Sequence, residues 1–191
     1  MPIFIFLFAA AYIIGSINFS IGILKLAGRK DPRKSYSKNA GATNVYRQEG
    51  LFFAALVLLF DMGRALVVAA AALKFLPVSL VPWIGLGLIL GNRFPVFHRF
   101  NGGKGVANYL GFTIMLAPIM TALGIMAWAI VFYIWRTPFL SSFALITFLA
   151  VGNIILVGPD LSGITGVTST FVFIVCCHHS NITGWFRMRA S

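Results

Sequence analysis

The sequence predicts an all-α, polytopic integral membrane protein with seven transmembrane helices, forming a single domain over residues 1–191. Three observations carry that reading. The chain is 59% hydrophobic and only 10% charged, whereas about a quarter of the residues of a soluble domain are charged. Apolar runs recur at lengths near the ~20 residues that cross a bilayer as a helix. The cations fall in the short gaps between those runs, as they do in the loops of membrane proteins. The same composition excludes a disordered chain. A net charge of +11 does not imply nucleic acid here, because no solvated domain carries it. An anionic substrate or anionic lipid headgroups suit it better.

The elements follow in order. The N-terminal "MPIFIFLFAAAYIIG" lacks a positive n-region, and its apolar run continues past Gly15 to Leu26. It reads as a retained first span, 3–27, and not as a signal peptide. The second span, 51–73, holds Asp61 and Arg64 three residues apart on one face. Charges at membrane depth are costly and are paired or functional. An i,i+3 ion pair is one reading; Asp61 as a general base, far from the loops, is the other. The third span is 77–92. The fourth and fifth, 106–118 and 119–135, meet at Ala117-Pro118, where proline disfavours helix in the residue before it. Merging these two gives a six-span alternative. The sixth and seventh are 139–157 and 161–177. Cys176 and Cys177 are adjacent in the last, poorly placed to pair with each other, and read as small apolar residues.

Orientation tests the count. With seven spans and the N-terminus outside, the inner gaps and their edges hold Lys25, Arg29, Lys30, Arg33, Lys34, Lys38, Arg47, Arg93, Arg99, Lys104, Arg136, Arg187 and Arg189, which is thirteen of the fifteen Lys and Arg. The outer gaps hold only Lys74, and Arg64 lies within a span. The positive-inside rule therefore places the N-terminus outside and the C-terminus in the cytoplasm. Six spans would put the basic tail outside.

Two hydrophilic segments offer chemistry. The gap 28–50, "GRKDPRKSYSKNAGATNVYRQEG", is longer than most connections, which marks a functional or a disordered loop. Its Ser35, Ser37, Asn39, Gly41, Thr43 and Asn44 can offer several donors to one anion, and Arg47 a bidentate fork. Otherwise this gap only sets topology, with Asp31-Pro32 a turn. The second segment is "GNRFPVFHRFNGGKGVANYLG", Gly91 to Gly111. Gly102, Gly103 and Gly105 let backbone N–H groups approach a ligand. A helix follows from about Val106, so they sit at its positive end, and Lys104 adds a full charge. A nucleotide-binding P-loop is excluded, since Gly105 stands where Ser or Thr is required and no strand precedes the motif. Neither His98, His178 nor His179 has an aspartate five positions on, and there is no G-x-S-x-G elbow. Three histidines and four acids support no metal cluster, and no cofactor is expected. Chemistry here would rest on positioning and electrostatics.

The motifs "GSINFSIGILKLAGRKD" (Gly15 to Asp31), "SKNAGATNVYRQEG" (Ser37 to Gly50), "GNRFPVFHRFNGGKGVAN" (Gly91 to Asn108) and "HHSNI" (His178 to Ile182), with Asp61 and Ser142, resemble the bacterial acyl-phosphate:glycerol-3-phosphate acyltransferases over nearly the whole chain. The resemblance implies a seven-span enzyme of the bacterial cytoplasmic membrane, with its site on the cytoplasmic side. Its substrates would be acyl phosphate and glycerol 3-phosphate, its product lysophosphatidic acid, and membrane lipid its surroundings. It further implies that Ser37, Asn39, Gly41, Thr43 and Asn44 grip phosphate or acyl phosphate. Arg47, Lys104 and Ser142 would bind phosphate groups, and His178 and Asn181 would complete the pocket. Asn92, at the position of the family's GH-x-FP histidine, would join Gly102, Gly103 and Gly105. Other departures are Tyr36 and Lys38 for the glycines flanking the loop serine, Asn108 for a threonine, Arg64-Ala65 for Lys-Gly, and Cys177 and His179 for two arginines. The alternative is a diverged, non-catalytic homologue that binds or transports a phosphorylated lipid or solute. The "NIT" at Asn181 faces the expected cytoplasmic side and reads as a chance match to a glycosylation sequon.

Overall fold

The computed structural model describes the backbone of residues 1–190 and the side chains of residues 1–187. The side chain of Arg189, counted above among the tail cations, lies outside the described residues. Ten α-helices follow in order: α1 (Pro2–Ser16), α2 (Phe19–Leu26), α3 (Ala42–Glu49), α4 (Leu51–Phe75), α5 (Val81–Arg93), α6 (Val106–Leu116), α7 (Pro118–Trp135), α8 (Pro138–Val157), α9 (Leu161–Cys177) and α10 (His179–Ala190). The described residues contain no strand. Three short 3-10 turns lie at Pro32–Lys34, Val78–Leu80 and Val96–His98.

Five stretches are long and apolar enough to cross a membrane: Pro2–Leu26, Leu51–Phe75, Val78–His98, Pro118–Trp135 and Pro138–Val157. Helices α9 and α10, bent by 47° at the break between them, pass the same test only when taken together. Helix α6 is apolar but has only 11 residues, about 16 Å at 1.5 Å per residue. The expected boundary at Ala117-Pro118 is present: Ala117, at φ −142° and ψ 69°, ends α6 and precedes α7. Pro118 occupies the first turn of α7, where its missing N–H costs nothing.

Two features differ from the expectation. The first span breaks at Ile17, because Asn18 caps a new helix by accepting from Ile21 N at 3.2 Å and from Ser20 Oγ at 2.7 Å. The chain also continues past 177 as a tail helix. In lipid, a broken helix must find donors for its freed carbonyls. Here the buried Arg64 guanidinium supplies them, donating to the carbonyls of Ile14 (3.2 Å), Gly15 (3.1 Å) and Ile17.

The bundle packs as α1 on α5, α4 on α6, α7 on α8 and α5 on α9. One core joins α1, α4, α5 and α6 around Ala65, Ala69, Leu88 and Phe112. A second joins α5, α6, α8 and α9 around Ile89, Ile146, Leu149 and Ile174. The α1–α5 seam needs glycine: a Cβ on Gly91 would lie 2.0 Å from Tyr12 O, and one on Gly15 2.1 Å from Leu88 O. Small residues that let backbones approach are the usual device of membrane helix pairs. The outside is apolar, with Leu59, Val67, Ile119, Met126 and Ile130 exposed, as a lipid-facing surface requires.

Candidate functional site

One end of the bundle gathers the hydrophilic segments. The 28–50 segment is ordered around Asn44, which is buried. Its Oδ1 accepts from Ser37 N (3.1 Å) and Ser37 Oγ (2.9 Å), and its Nδ2 donates to Pro32 O (2.7 Å) and Ser35 O (3.2 Å). Both polar atoms of Asn44 are thus used in folding its own loop. Gly41 precedes α3, and its carbonyl accepts from Asn44 N and Val45 N. Asn39 lies half-buried beside Gly41, while Ser37, Thr43 and Arg47 are exposed.

Arg33 ties this segment to the next. Its Nη1 donates to His98 O at 2.8 Å and Asn101 O at 3.1 Å, while Asp31 accepts from its Nε and Nη2. That hydrogen bonding holds the Asp31 carboxyl below its ordinary range. Asp31-Pro32 therefore forms more than a turn: it anchors the cation that joins the two loops. Sequence reasoning had counted Arg33 only for topology. Tyr36, Lys38, Arg99 and Phe100 all adopt positive φ, between 50° and 56°. Left-handed backbone at non-glycine residues costs about 1–3 kcal/mol each and collects at functional sites.

The glycine stretch requires a correction. Gly102 N donates to Arg93 O at 3.1 Å, and Gly103 N donates to Asn92 O at 3.0 Å. These two N–H groups close the C-terminal end of α5 and do not face a ligand. The glycines are needed for close approach: a Cβ on Gly102 would lie 2.0 Å from Asn92 O. A Cβ on Gly103 would lie 2.7 Å from Asn92 Nδ2 and 2.8 Å from Ala40 O, so Gly103 sits where the two loops touch. Gly105, at φ +89°, opens α6, and no side chain caps that first turn. Its N–H groups remain the positive end predicted from the sequence.

Lys104 points from this loop to the tail, where Nζ donates to Asn181 Oδ1. Burial, and then the charge of Arg93, bring its pKa down to about 8. His178 is buried, its Nδ1 is 2.8 Å from Ile174 O, and its ring meets Phe143 at 5.3 Å. This places it beside the N-terminal part of α8, where Ser142 Oγ donates to Pro138 O at 2.9 Å. The structure thus brings together Gly103, Lys104 and Asn181, with Asn92 beneath and the 28–50 loop alongside.

Asn92 is held from below. Arg64 Nη2 donates to Asn92 Oδ1 (2.9 Å), Nε donates to Asn108 Oδ1 (2.8 Å), and Nη2 lies 2.7 Å from Asp61 Oδ1. The Asp61–Arg64 pair is therefore the intrahelical ion pair, extended to α1, α5 and α6, and Asp61 serves the fold. The hub role of Arg64 and Asn108 had no sequence signal beyond charge at membrane depth.

The arrangement sets a half-buried lysine and an uncapped helix start together at the edge of an apolar bundle, a setting that favours an anion. Comparisons with known proteins identify the family. The family model described as glycerol-3-phosphate acyltransferase matches residues 5–188. A glycerol-3-phosphate acyltransferase of Methylobacillus flagellatus is 40% identical over 176 residues, 91% of this chain and 88% of that one. Another, of Pseudomonas syringae pv. syringae, is 44% identical over 133 residues, 69% of each chain. The crystal structure of PlsY, an integral membrane glycerol 3-phosphate acyltransferase, in its glycerol 3-phosphate form superposes with a TM-score of 0.89 at 30% identity, covering 97% of this chain and 93% of that one. With near-complete coverage by the family model and by relatives of this similarity, the chain belongs to the glycerol-3-phosphate acyltransferase family.

Proposed function

We propose that the chain transfers a fatty acyl group from acyl phosphate to the 1-hydroxyl of glycerol 3-phosphate, giving lysophosphatidic acid and phosphate for phospholipid synthesis. The site lies on the cytoplasmic side of the bacterial cytoplasmic membrane, in a single domain that crosses seven times with its N-terminus outside. The observation that carries the reading is convergence. Three segments distant in sequence meet through Arg33 on Asn101, Gly103 against Ala40, and Lys104 on Asn181. The odd number of crossings is supported by α5 and α9 running the same way. Trp83 Nε1 donates to Ser162 O at 3.0 Å near their starts, and Phe94 meets Phe173 near their ends.

In this mechanism the site needs no protein base. The 1-hydroxyl oxygen attacks the acyl carbonyl carbon. The carbonyl-to-phosphate C–O bond breaks, phosphate leaves with the electron pair, and a substrate phosphate oxygen takes the hydroxyl proton. Lys104 and the first turn of α6 offset the repulsion between the two phosphorylated reactants. Ser37, Asn39, Gly41, Thr43 and Arg47 offer further donors from the adjoining loop, while Ser142, His178 and Asn181 close the far wall. Such alignment supplies about 7–11 kcal/mol of the barrier reduction.

The test is purified protein with acyl phosphate and glycerol 3-phosphate. Acyl transfer with equimolar phosphate release is expected, and Lys104→Ala should abolish it in a folded protein. Binding or flux without transfer would favour the non-catalytic homologue instead. Reporter fusions in 28–50 and 93–105 should both report the cytoplasm; opposite sides would dismantle the shared pocket.

A further inference from the structure

A cavity of about 330 Å³ opens between the end of α5 and the bend from α9 into α10. Arg93 and Phe94 line one side, and Phe173, Cys176, Cys177 and Ser180 the other. The lining is amphipathic. The aromatic pair Phe94–Phe173 stands at 6.0 Å between ring centroids, and the Arg93 guanidinium lies 5.5 Å from the Phe94 ring.

Arg93 has no carboxylate partner among the described residues. The chain holds four acidic side chains, and each is engaged elsewhere. Asp31 pairs with Arg33, Glu49 with Arg29 and Asp61 with Arg64. Asp160 caps α9 by accepting from Gly163 N. Arg93 is therefore a half-buried cation lining the cavity without a carboxylate partner among the described residues, and it lies close enough to the half-buried Lys104 for its charge to be felt there. Like charges so placed favour occupation by an anion.

We infer that this cavity takes the acyl donor, with Arg93 holding the phosphate of the acyl phosphate and the Phe94–Phe173 wall taking the first methylenes of its chain. The inference rests on the acyl-transfer reading above and names the half of the site that serves the donor. A polar acceptor such as glycerol 3-phosphate gains nothing from the aromatic wall; a fatty acyl phosphate uses both ends. Arg93 can also form a planar two-donor fork to phosphate.

The experiment is steady-state kinetics of wild type, Arg93→Gln and Arg93→Lys with both substrates varied. Arg93→Gln should raise KM for acyl phosphate about tenfold or more, the equivalent of one charge-assisted hydrogen bond, and leave KM for glycerol 3-phosphate within about twofold. Arg93→Lys, which keeps the charge but not the fork, should fall between. It also serves as the probe if the glutamine variant does not fold. An unchanged donor KM in a folded variant, or a rise confined to glycerol 3-phosphate, would overturn the assignment. Wild type that transfers no acyl group would instead sink the acyl-transfer reading itself.

Discussion

Arg64→Met should destabilise the bundle by about 3–5 kcal/mol, the cost of removing one partner from a buried ion pair. The side chains of Arg64 and Asp61 are each only 6% exposed. The guanidinium faces one carboxylate, two side-chain amides and three carbonyls at the end of α1. Methionine fills similar volume but donates nothing, so Asp61 stays buried without its cation and the break at Ile17 loses its donors. For a chain of this length 1 kcal/mol moves Tm by about 2–4 °C, so the expected fall is roughly 6–20 °C. Thermal unfolding of detergent-purified protein, read by size exclusion or intrinsic fluorescence, measures it. Arg64→Met with Asp61→Asn should recover part of the loss, because the unpaired charge is gone. Arg64→Lys should lie between, since an ammonium has three donors where the guanidinium has five. A Tm for Arg64→Met within about 2 °C of wild type, or a double variant no better than the single, would refute the hub.

Lys104, with its pKa near 8, is cationic below that pH and neutral above it, so anion binding weakens as pH rises. KM for the phosphorylated substrates should climb about tenfold between pH 7 and pH 9.5, and Lys104→Arg, charged throughout, should flatten that profile. Gly102→Ala places a Cβ 2.0 Å from a backbone oxygen and should reduce turnover more than about tenfold. Gly22→Ala meets nothing within 4 Å and should keep full activity, with stability unchanged or raised by up to about 1 kcal/mol. Asn44→Ala removes the clamp of the first loop at a local cost of about 1–3 kcal/mol. Hydrogen exchange should quicken over residues 32–44 while the Tm of the bundle shifts little.

Sequence reading reached the helical spans because hydropathy depends on composition alone. It placed the α6–α7 boundary because proline acts locally, on the residue before it. It missed the break at Ile17, where a long-range donor, Arg64, makes an interrupted helix tolerable. It grouped Lys104 with Asn181 through family resemblance, since nothing in their spacing brings them together. It misread Gly102 and Gly103 because a glycine-rich turn looks the same whether it admits a phosphate or a neighbouring carbonyl. Only the position of Asn92 and Arg93 at the end of α5 decides between the two. Arg33 and Arg93 were counted as topology signals, and charge density carries no information about which cation lacks a carboxylate.

Some of the departures read from the resemblance lie together once the chain is folded. Arg64 donates to both Asn92 and Asn108, at 2.9 and 2.8 Å. Three changes read separately from the sequence thus form one polar cluster, in which a guanidinium that donates in several directions meets two amide oxygens that accept. Removing any one of the three side chains would strand a buried donor or acceptor, at about 1–3 kcal/mol. The tail shows a second grouping. Cys177 and His179, standing where the family pattern has arginines, line the same cavity as Arg93, so one cation is supplied across that cavity from α5. Arg93 thus keeps a cation facing the cavity where Cys177 and His179 carry none, and the donor KM of Arg93→Gln measures whether that cation serves the substrate.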